Sequence, residues 1–224
     1  MVTPDTPAAH LPWPRPVTVR PAHTALLLVD LQRQFLSASS PIAVVGADSL
    51  VDRANEAAQT IRTSGGLVVW VQQRVREAAG PGVTSRRFGV GPIHSGDGAD
   101  LDDRLDVGTG DVVLTKPRQS AFYGTDLEAI LRARSIGSVL IGGVTTNVCV
   151  LASAKDASER DLATHVLADL TFALPIGADA STRMTSDEVR RSALAFAQYA
   201  YGDVTTMELI HLEGRGDRDT RSTG

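Results

Sequence analysis

The sequence predicts an α/β fold, a three-layer α/β/α sandwich around a mainly parallel sheet, and three observations carry that reading. Short apolar runs alternate with longer stretches of helical periodicity from about residue 24 to residue 208, the pattern of strands joined by helical crossovers. Several apolar runs are unbroken, as Ala25-Leu26-Leu27-Leu28-Val29 and Ser138-Val139-Leu140-Ile141 are, which is what strands covered on both faces require. The 224 residues suffice for one such domain with a sizeable core and leave no room for a second globular unit.

The elements follow in order. Residues 1–22 are rich in proline and are expected to form an extended arm without a regular element. The domain proper is assigned to 23–212. Its first strand is expected near 24–30 and its first helix near 48–63; Gly65-Gly66 ends that helix, and Leu67 opens a strand over 67–72. Further strands are expected near 111–115, 138–142, 164–168 and 203–208, and further helices near 124–135, 147–160 and 186–200, with Gly137 as the stop before Ser138. This alternation is Rossmann-like. The segment from Gln73 to Gly110 breaks the rhythm, because glycine, arginine and aspartate are common and no periodic run occurs. A connection of that length is a lid, a partner-binding surface or a disordered stretch, and we expect it to set substrate selectivity. The polar tail 213–224 is expected to be disordered, with the Arg-Gly-Asp triplet at 215–217 as part of it.

Bulk properties exclude several classes. A net charge of −4 with both signs mixed offers no face for a polyanion. No apolar stretch approaches the roughly 18–20 residues that cross a bilayer, and the first residues lack the basic start and apolar middle of a signal peptide. A single cysteine excludes an intrachain disulfide framework. We therefore expect a cytoplasmic protein without nucleic-acid or membrane partners.

That cysteine, Cys149, lies between an apolar strand-like run and a helix-like run. Asp30 follows the apolar run that ends at Val29, and Lys116 follows the run Val112-Val113-Leu114-Thr115. Taken singly, each has an ordinary reading as a small buried hydrophobe, a turn residue or a solvated charge. Together they place a thiol, a carboxylate and an amine after three strands. In an open parallel sheet such positions meet at the carboxyl edge, where ligands bind. A free thiol near pKa 8.5 is only a few per cent thiolate at pH 7, so it needs assistance. Unpaired N–H groups at the start of the helix, its dipole and the Lys116 charge are expected to favour the anion. Asp30 is the expected general base, Cys149 the nucleophile and Lys116 the electrostatic partner.

The stretches Thr24 to Phe35, Leu114 to Leu131 and Ile141 to Ala157, in this order within roughly residues 20–210, resemble the isochorismatase-like cysteine hydrolases. That family includes nicotinamidases, N-carbamoylsarcosine amidases, ureidoacrylate amidohydrolases and biuret hydrolases. The resemblance implies hydrolysis of a small-molecule C–N bond of an amide, a ureide or a lactam through a thioester. It implies an oxyanion hole from the backbone N–H groups of Thr145 and Cys149, a cis peptide between Val144 and Thr145, and a homodimer or homotetramer. The run Ser192-Ala193-Leu194-Ala195-Phe196-Ala197 offers a close-packing face for such an assembly. Phe35, Phe122 and Tyr123 fall at positions that line the pocket in the family. Trp70 is a candidate for either pocket or core, and Arg87, beside Arg86, can pair a substrate carboxylate bidentately.

No cofactor and no metal are expected. Metal-bearing relatives carry an Asp-x-His pair and a further histidine after the second strand, where this chain has Gln72-Gln73-Arg74-Val75-Arg76, with His94 alone much later as a loop histidine. Nicotinamide is accordingly disfavoured as the substrate. Two alternatives stay open: an isochorismatase-type vinyl ether hydrolase, which has no use for a thiol, and a non-catalytic binding module on the same scaffold.

Overall fold

The computed structural model describes residues 11–75, Val83 and 95–213. Strand β1 (Val17–Val19) precedes β2 (Thr24–Val29), the short helix α1 (Arg33–Leu36), α2 (Ala47–Thr63) and β3 (Leu67–Gln73). Then come β4 (Val112–Lys116), α3 (Leu127–Ala133), β5 (Ser138–Val144), a wide π-helical turn (Thr146–Val150) that runs into α4 (Leu151–Ser158), and β6 (Ala163–Phe172). Helix α5 (Ser186–Ala200), β7 (Asp203–Thr205) and β8 (Ile210–Leu212) complete the order.

Six strands form one sheet in the order β4-β3-β2-β5-β6-β7, and each neighbouring pair is parallel. The direction of winding reverses between β2 and β5, and in doubly wound sheets the crevice at such a reversal is where ligands bind. Both strands are buried throughout except at Ser138, as central strands with helices on both faces must be. Alternate residues of β2 serve opposite faces: Leu27 and Val29 pack with Leu127, Leu131, Ala154, Ala157, Leu194 and Ala197 from α3, α4 and α5. Leu26 and Leu28 pack with Phe35, Leu36, Leu50, Ala54, Ala58 and Ile61 from α1 and α2. The result is the expected three-layer sandwich.

Gly143 decides how closely the two central strands approach. Its φ is 117°, and a Cβ there would stand 2.0 Å from the Val29 carbonyl oxygen. Only glycine takes that conformation and leaves the space, so β2 and β5 can come together directly beneath the positions that carry Asp30 and Cys149.

Some expectations are corrected. Part of the proline-rich arm is a strand: Val17, Thr18 and Val19 pair parallel with Ile210, His211 and Leu212. The stretch expected as one strand near 203–208 stops at Thr205, and a 3-10 turn (Met207–Leu209) leads into β8. In the run 192–197, Ala193, Leu194 and Ala197 are buried against the chain's own sheet, whereas Ser192, Ala195 and Phe196 are exposed. Within 73–110, the 3-10 turn Gly96–Ala99 and an antiparallel bridge between Gln32 and Leu101 return the chain to the sheet edge, whereas 76–82 and 84–94 lie outside the described residues. No described helix is long and apolar enough to cross a membrane.

Candidate active site

Asp30, Gln73 and Lys116 stand at the carboxyl ends of β2, β3 and β4, and Cys149 lies in the turn that follows β5. Asp30 has left-handed backbone geometry, φ 54°, which aspartate tolerates better than most residues but which still costs about 1–3 kcal/mol. Its N–H donates to the Val71 carbonyl at 2.7 Å, so the chain turns over the sheet edge while still tied to β3. Gln73 and Lys116 are register partners. A Gln73 side chain therefore stands between the strand carrying Asp30 and the strand carrying Lys116.

The three predicted catalytic side chains come together. Lys116 Nζ donates to Asp30 Oδ2 at 2.8 Å, to Gln73 Oε1 at 3.0 Å and to the Arg118 carbonyl at 3.1 Å. An ammonium has three protons, so all of them are committed within the protein. Cys149 Sγ lies 3.7 Å from the same Gln73 Oε1. Asp30 Oδ1 is buried as well. The site thus holds one ion pair with a thiol packed against its carboxylate, whose charge and hydrogen bond act on the sulfur. Asp30 and Lys116 are fully buried, and Cys149 is 6% exposed.

Burial decides the protonation states. It pushes the Cys149 thiol up, the Asp30 charge pushes it further, and Lys116 opposes both without prevailing. The resting sulfur is therefore a protonated thiol at neutral pH. Lys116 acts toward the thiolate as expected, but the turn is buried, and the cost of desolvating an anion together with the Asp30 charge exceeds what it returns. Burial also raises the Asp30 carboxyl, against the pull of Lys116, and makes it a stronger proton acceptor than a surface carboxylate. For Lys116, burial acts downward, but the Asp30 carboxylate leads the influences that outweigh it and hold the amine above its ordinary value. Lys116 is an ammonium throughout.

The backbone around the sulfur is tightly specified. The Val144–Thr145 peptide is cis. The Thr145 carbonyl accepts from the N–H groups on either side of Cys149, Val148 at 3.1 Å and Val150 at 3.3 Å. Thr171 Oγ1 donates to the Gly143 carbonyl at 2.8 Å and lies 2.9 Å from Thr146 Oγ1. Ser153 Oγ donates to the Cys149 carbonyl at 2.7 Å and accepts from the Ala121 N–H at 3.0 Å, which ties the cysteine turn to the loop after Lys116.

The aromatic candidates divide. Trp70 is fully buried in the middle of β3, and its indole N–H donates at 2.8 Å to Asp111, next to the amino end of β4. It faces away from the catalytic edge and is a core residue, which corrects its assignment as a substrate contact. Phe35 is buried against α2, and Phe122 is buried with Arg160 4.8 Å above its ring. Tyr123 is exposed. Arg86, Arg87 and His94 lie outside the described residues. The residues that sequence reasoning missed are Gln73, Gln32 and Ser153. A polar Gln72-Gln73 pair closing an apolar strand was the available signal.

Gln73 Oε1 already faces an ammonium, and no group of three or more His, Cys, Asp or Glu side chains suited to a metal occurs among the described residues. Two clefts of about 260 and 320 Å³ lie along β6 and α5, lined among others by Asp169 and Arg190 in one and by His165 and Tyr201 in the other. Neither includes Asp30, Lys116 or Cys149.

Comparison with known proteins adds the following. A family model described as the isochorismatase domain matches residues 24–208. Ureidoacrylate amidohydrolase RutB of Klebsiella variicola (strain At-22) is 32% identical over 181 residues, covering 70% of this chain and 77% of that protein. The protein of that name from Methylobacterium radiotolerans is 34% identical over 216 residues, 86% of this chain and 80% of its own length. N-carbamoylsarcosine amidase from Thermoplasma acidophilum superposes with a TM-score of 0.65 at 27% identity, covering 82% of this chain and 95% of that one. A cysteine hydrolase from Pseudomonas syringae pv. phaseolicola 1448A has the same fold, with a TM-score of 0.78 at 24% identity over 90% of this chain and 94% of that one.

Proposed function

The chain belongs to the isochorismatase family, and from that premise we propose that it is a cysteine amidohydrolase that cleaves a non-peptide C–N bond of a small amide, ureide or lactam through a thioester. The observation that carries this reading is the buried cluster in which the Cys149 thiol lies against the Asp30 carboxylate, whose Oδ2 is held by the Lys116 ammonium. Similarity to ureidoacrylate amidohydrolase and N-carbamoylsarcosine amidase supports it. A binding module would carry a fully buried ion pair with no return for its desolvation. A vinyl ether hydrolase would not need the sulfur.

In the proposed reaction Asp30 takes the thiol proton as the Cys149 sulfur attacks the substrate carbonyl carbon. Negative charge passes to the carbonyl oxygen, which the backbone N–H groups of Thr145 and Cys149 receive. Lys116 stays an ammonium and balances that oxyanion while Asp30 is protonated, so the net charge of the buried site is constant. Collapse breaks the C–N bond, the departing nitrogen takes the proton from Asp30, and a thioester remains. Water then gives a proton to Asp30 and adds to the thioester carbon. The C–S bond breaks, the sulfur recovers the proton from Asp30, and the acid leaves. Phe35, Phe122, Tyr123 and Arg87 are the proposed substrate contacts.

Product analysis by mass spectrometry over a panel of ureides, primary amides and lactams tests the reading. Wild type is expected to hydrolyse members of at least one class, and Cys149→Ala, with an unchanged circular dichroism spectrum, is expected to hydrolyse none of them. Substantial turnover by folded Cys149→Ala contradicts the mechanism.

A further inference from the structure

Gln73 places a neutral acceptor against both the amine and the sulfur, beside the charged Asp30. Its Oε1 accepts from Lys116 Nζ at 3.0 Å and lies 3.7 Å from Cys149 Sγ. Because an ammonium can only donate, the amide must turn its oxygen toward it, which settles the orientation of the group. The main chain of Gln73 is clamped as well. Gln32, fully buried two residues after Asp30, donates from Nε2 to the Gln73 carbonyl at 3.0 Å and lies within 3.4 Å of the Gln73 N–H through its own Oε1. The same Gln32 Nε2 also donates to the Ala99 carbonyl. The turn that carries the base thus grips the end of the strand that carries Gln73.

We propose that Gln73 is the positioning residue of this site: its side-chain carbonyl accepts the Cys149 S–H and locks the Lys116 ammonium, keeping the thiol neutral and aimed until Asp30 takes its proton. This rests on the cysteine amidohydrolase reading. A neutral amide suits the task. A carboxylate would compete with Asp30 for Lys116, and a methionine of similar length would offer almost no acceptor. Gln73 favours S–H over S⁻ because its oxygen carries partial negative charge, and it occupies an ammonium proton that could otherwise turn to the sulfur.

The test is the pH dependence of Cys149 alkylation by iodoacetamide, read with kcat and KM. In Gln73→Met the thiol loses its acceptor and Lys116 gains a free proton, so the alkylation inflection is expected to move down by about one pH unit, a tenfold change in the acid equilibrium. Turnover is expected to fall on the order of 10²-fold through kcat, with KM little changed, as for a misplaced reacting group. A more acidic thiol joined to slower turnover is not what loss of packing produces. In Gln73→Glu, isosteric with the native residue, the added negative charge is expected to move the inflection up. An inflection that stays at the wild-type value in folded Gln73→Met overturns the proposal. If that variant does not fold, an unchanged or lowered inflection in Gln73→Glu overturns it. Alkylation reads the thiol without substrate, so a failed amidase reading, seen as turnover by Cys149→Ala, is distinguishable from a failure here.

Discussion

In the proposed mechanism Asp30 and Lys116 serve chemistry as well as stability, and the two roles separate by mutation. Asp30→Asn removes the proton acceptor and is expected to lower kcat on the order of 10²- to 10⁴-fold. It also strips a fully buried ammonium of its partner, a change that costs about 3–5 kcal/mol when one member of a buried pair is removed. Lys116→Met leaves the carboxylate alone in the same way. The double variant Asp30→Asn/Lys116→Met removes both charges, so urea denaturation is expected to find it more stable than either single variant. Its activity should be no lower than that of the poorer one. A double variant less stable than both singles would mean that the pair is not a coupled buried unit. At this scale the meeting of Asp30, Lys116 and Cys149 was legible in the sequence because each follows an apolar run, and only the sheet order was needed to bring them together. The protonated state of Cys149 was not, since it depends on how completely the turn is buried. Gln73 was hidden for a related reason: its part depends on which way one amide points.

Among the elements, the junction of β5 with the cysteine turn matters most. Gly143 lets β5 lie against β2, and Thr171 from β6 binds the Gly143 carbonyl, so three strands converge under the sulfur. Gly143→Ala would set a Cβ 2.0 Å from the Val29 carbonyl oxygen and force a positive φ on alanine. It is expected to cost roughly 2–4 kcal/mol in urea denaturation and to lower kcat, because Asp30 is the residue after Val29 and moves with it. Wild-type stability and activity in Gly143→Ala would show that the close approach of the strands is not what sets the site. The six strands of the main sheet and the four longer helices were readable from apolar runs and helical spacing. The β1–β8 pair was not, because Val17–Val19 finds its partner at the far end of the chain and its proline-rich surroundings suggest no strand. Trp70 stayed undecided between pocket and core for a geometric reason. A strand has two ends, and composition does not say toward which of them an indole N–H points.

For the molecule as a whole, the strand order explains why these residues can act together. The winding reverses between β2 and β5, which opens the sheet edge between Asp30 and Cys149, while β3 lies between the base strand and the lysine strand and contributes Gln73 to span them. The ion pair and the thiol then form one buried cluster whose net charge the proposed reaction never changes. The most direct measurement of that reaction is the mass of Cys149 during turnover. With a slowly hydrolysed amide, acid quenching followed by peptide mass spectrometry is expected to find the acyl group on the peptide containing Cys149. The adduct should disappear as substrate is exhausted and be missing from Cys149→Ala. Steady turnover with no acyl adduct on Cys149 at any quench time, or an adduct on another residue that disappears at the rate of turnover, would contradict the thioester mechanism.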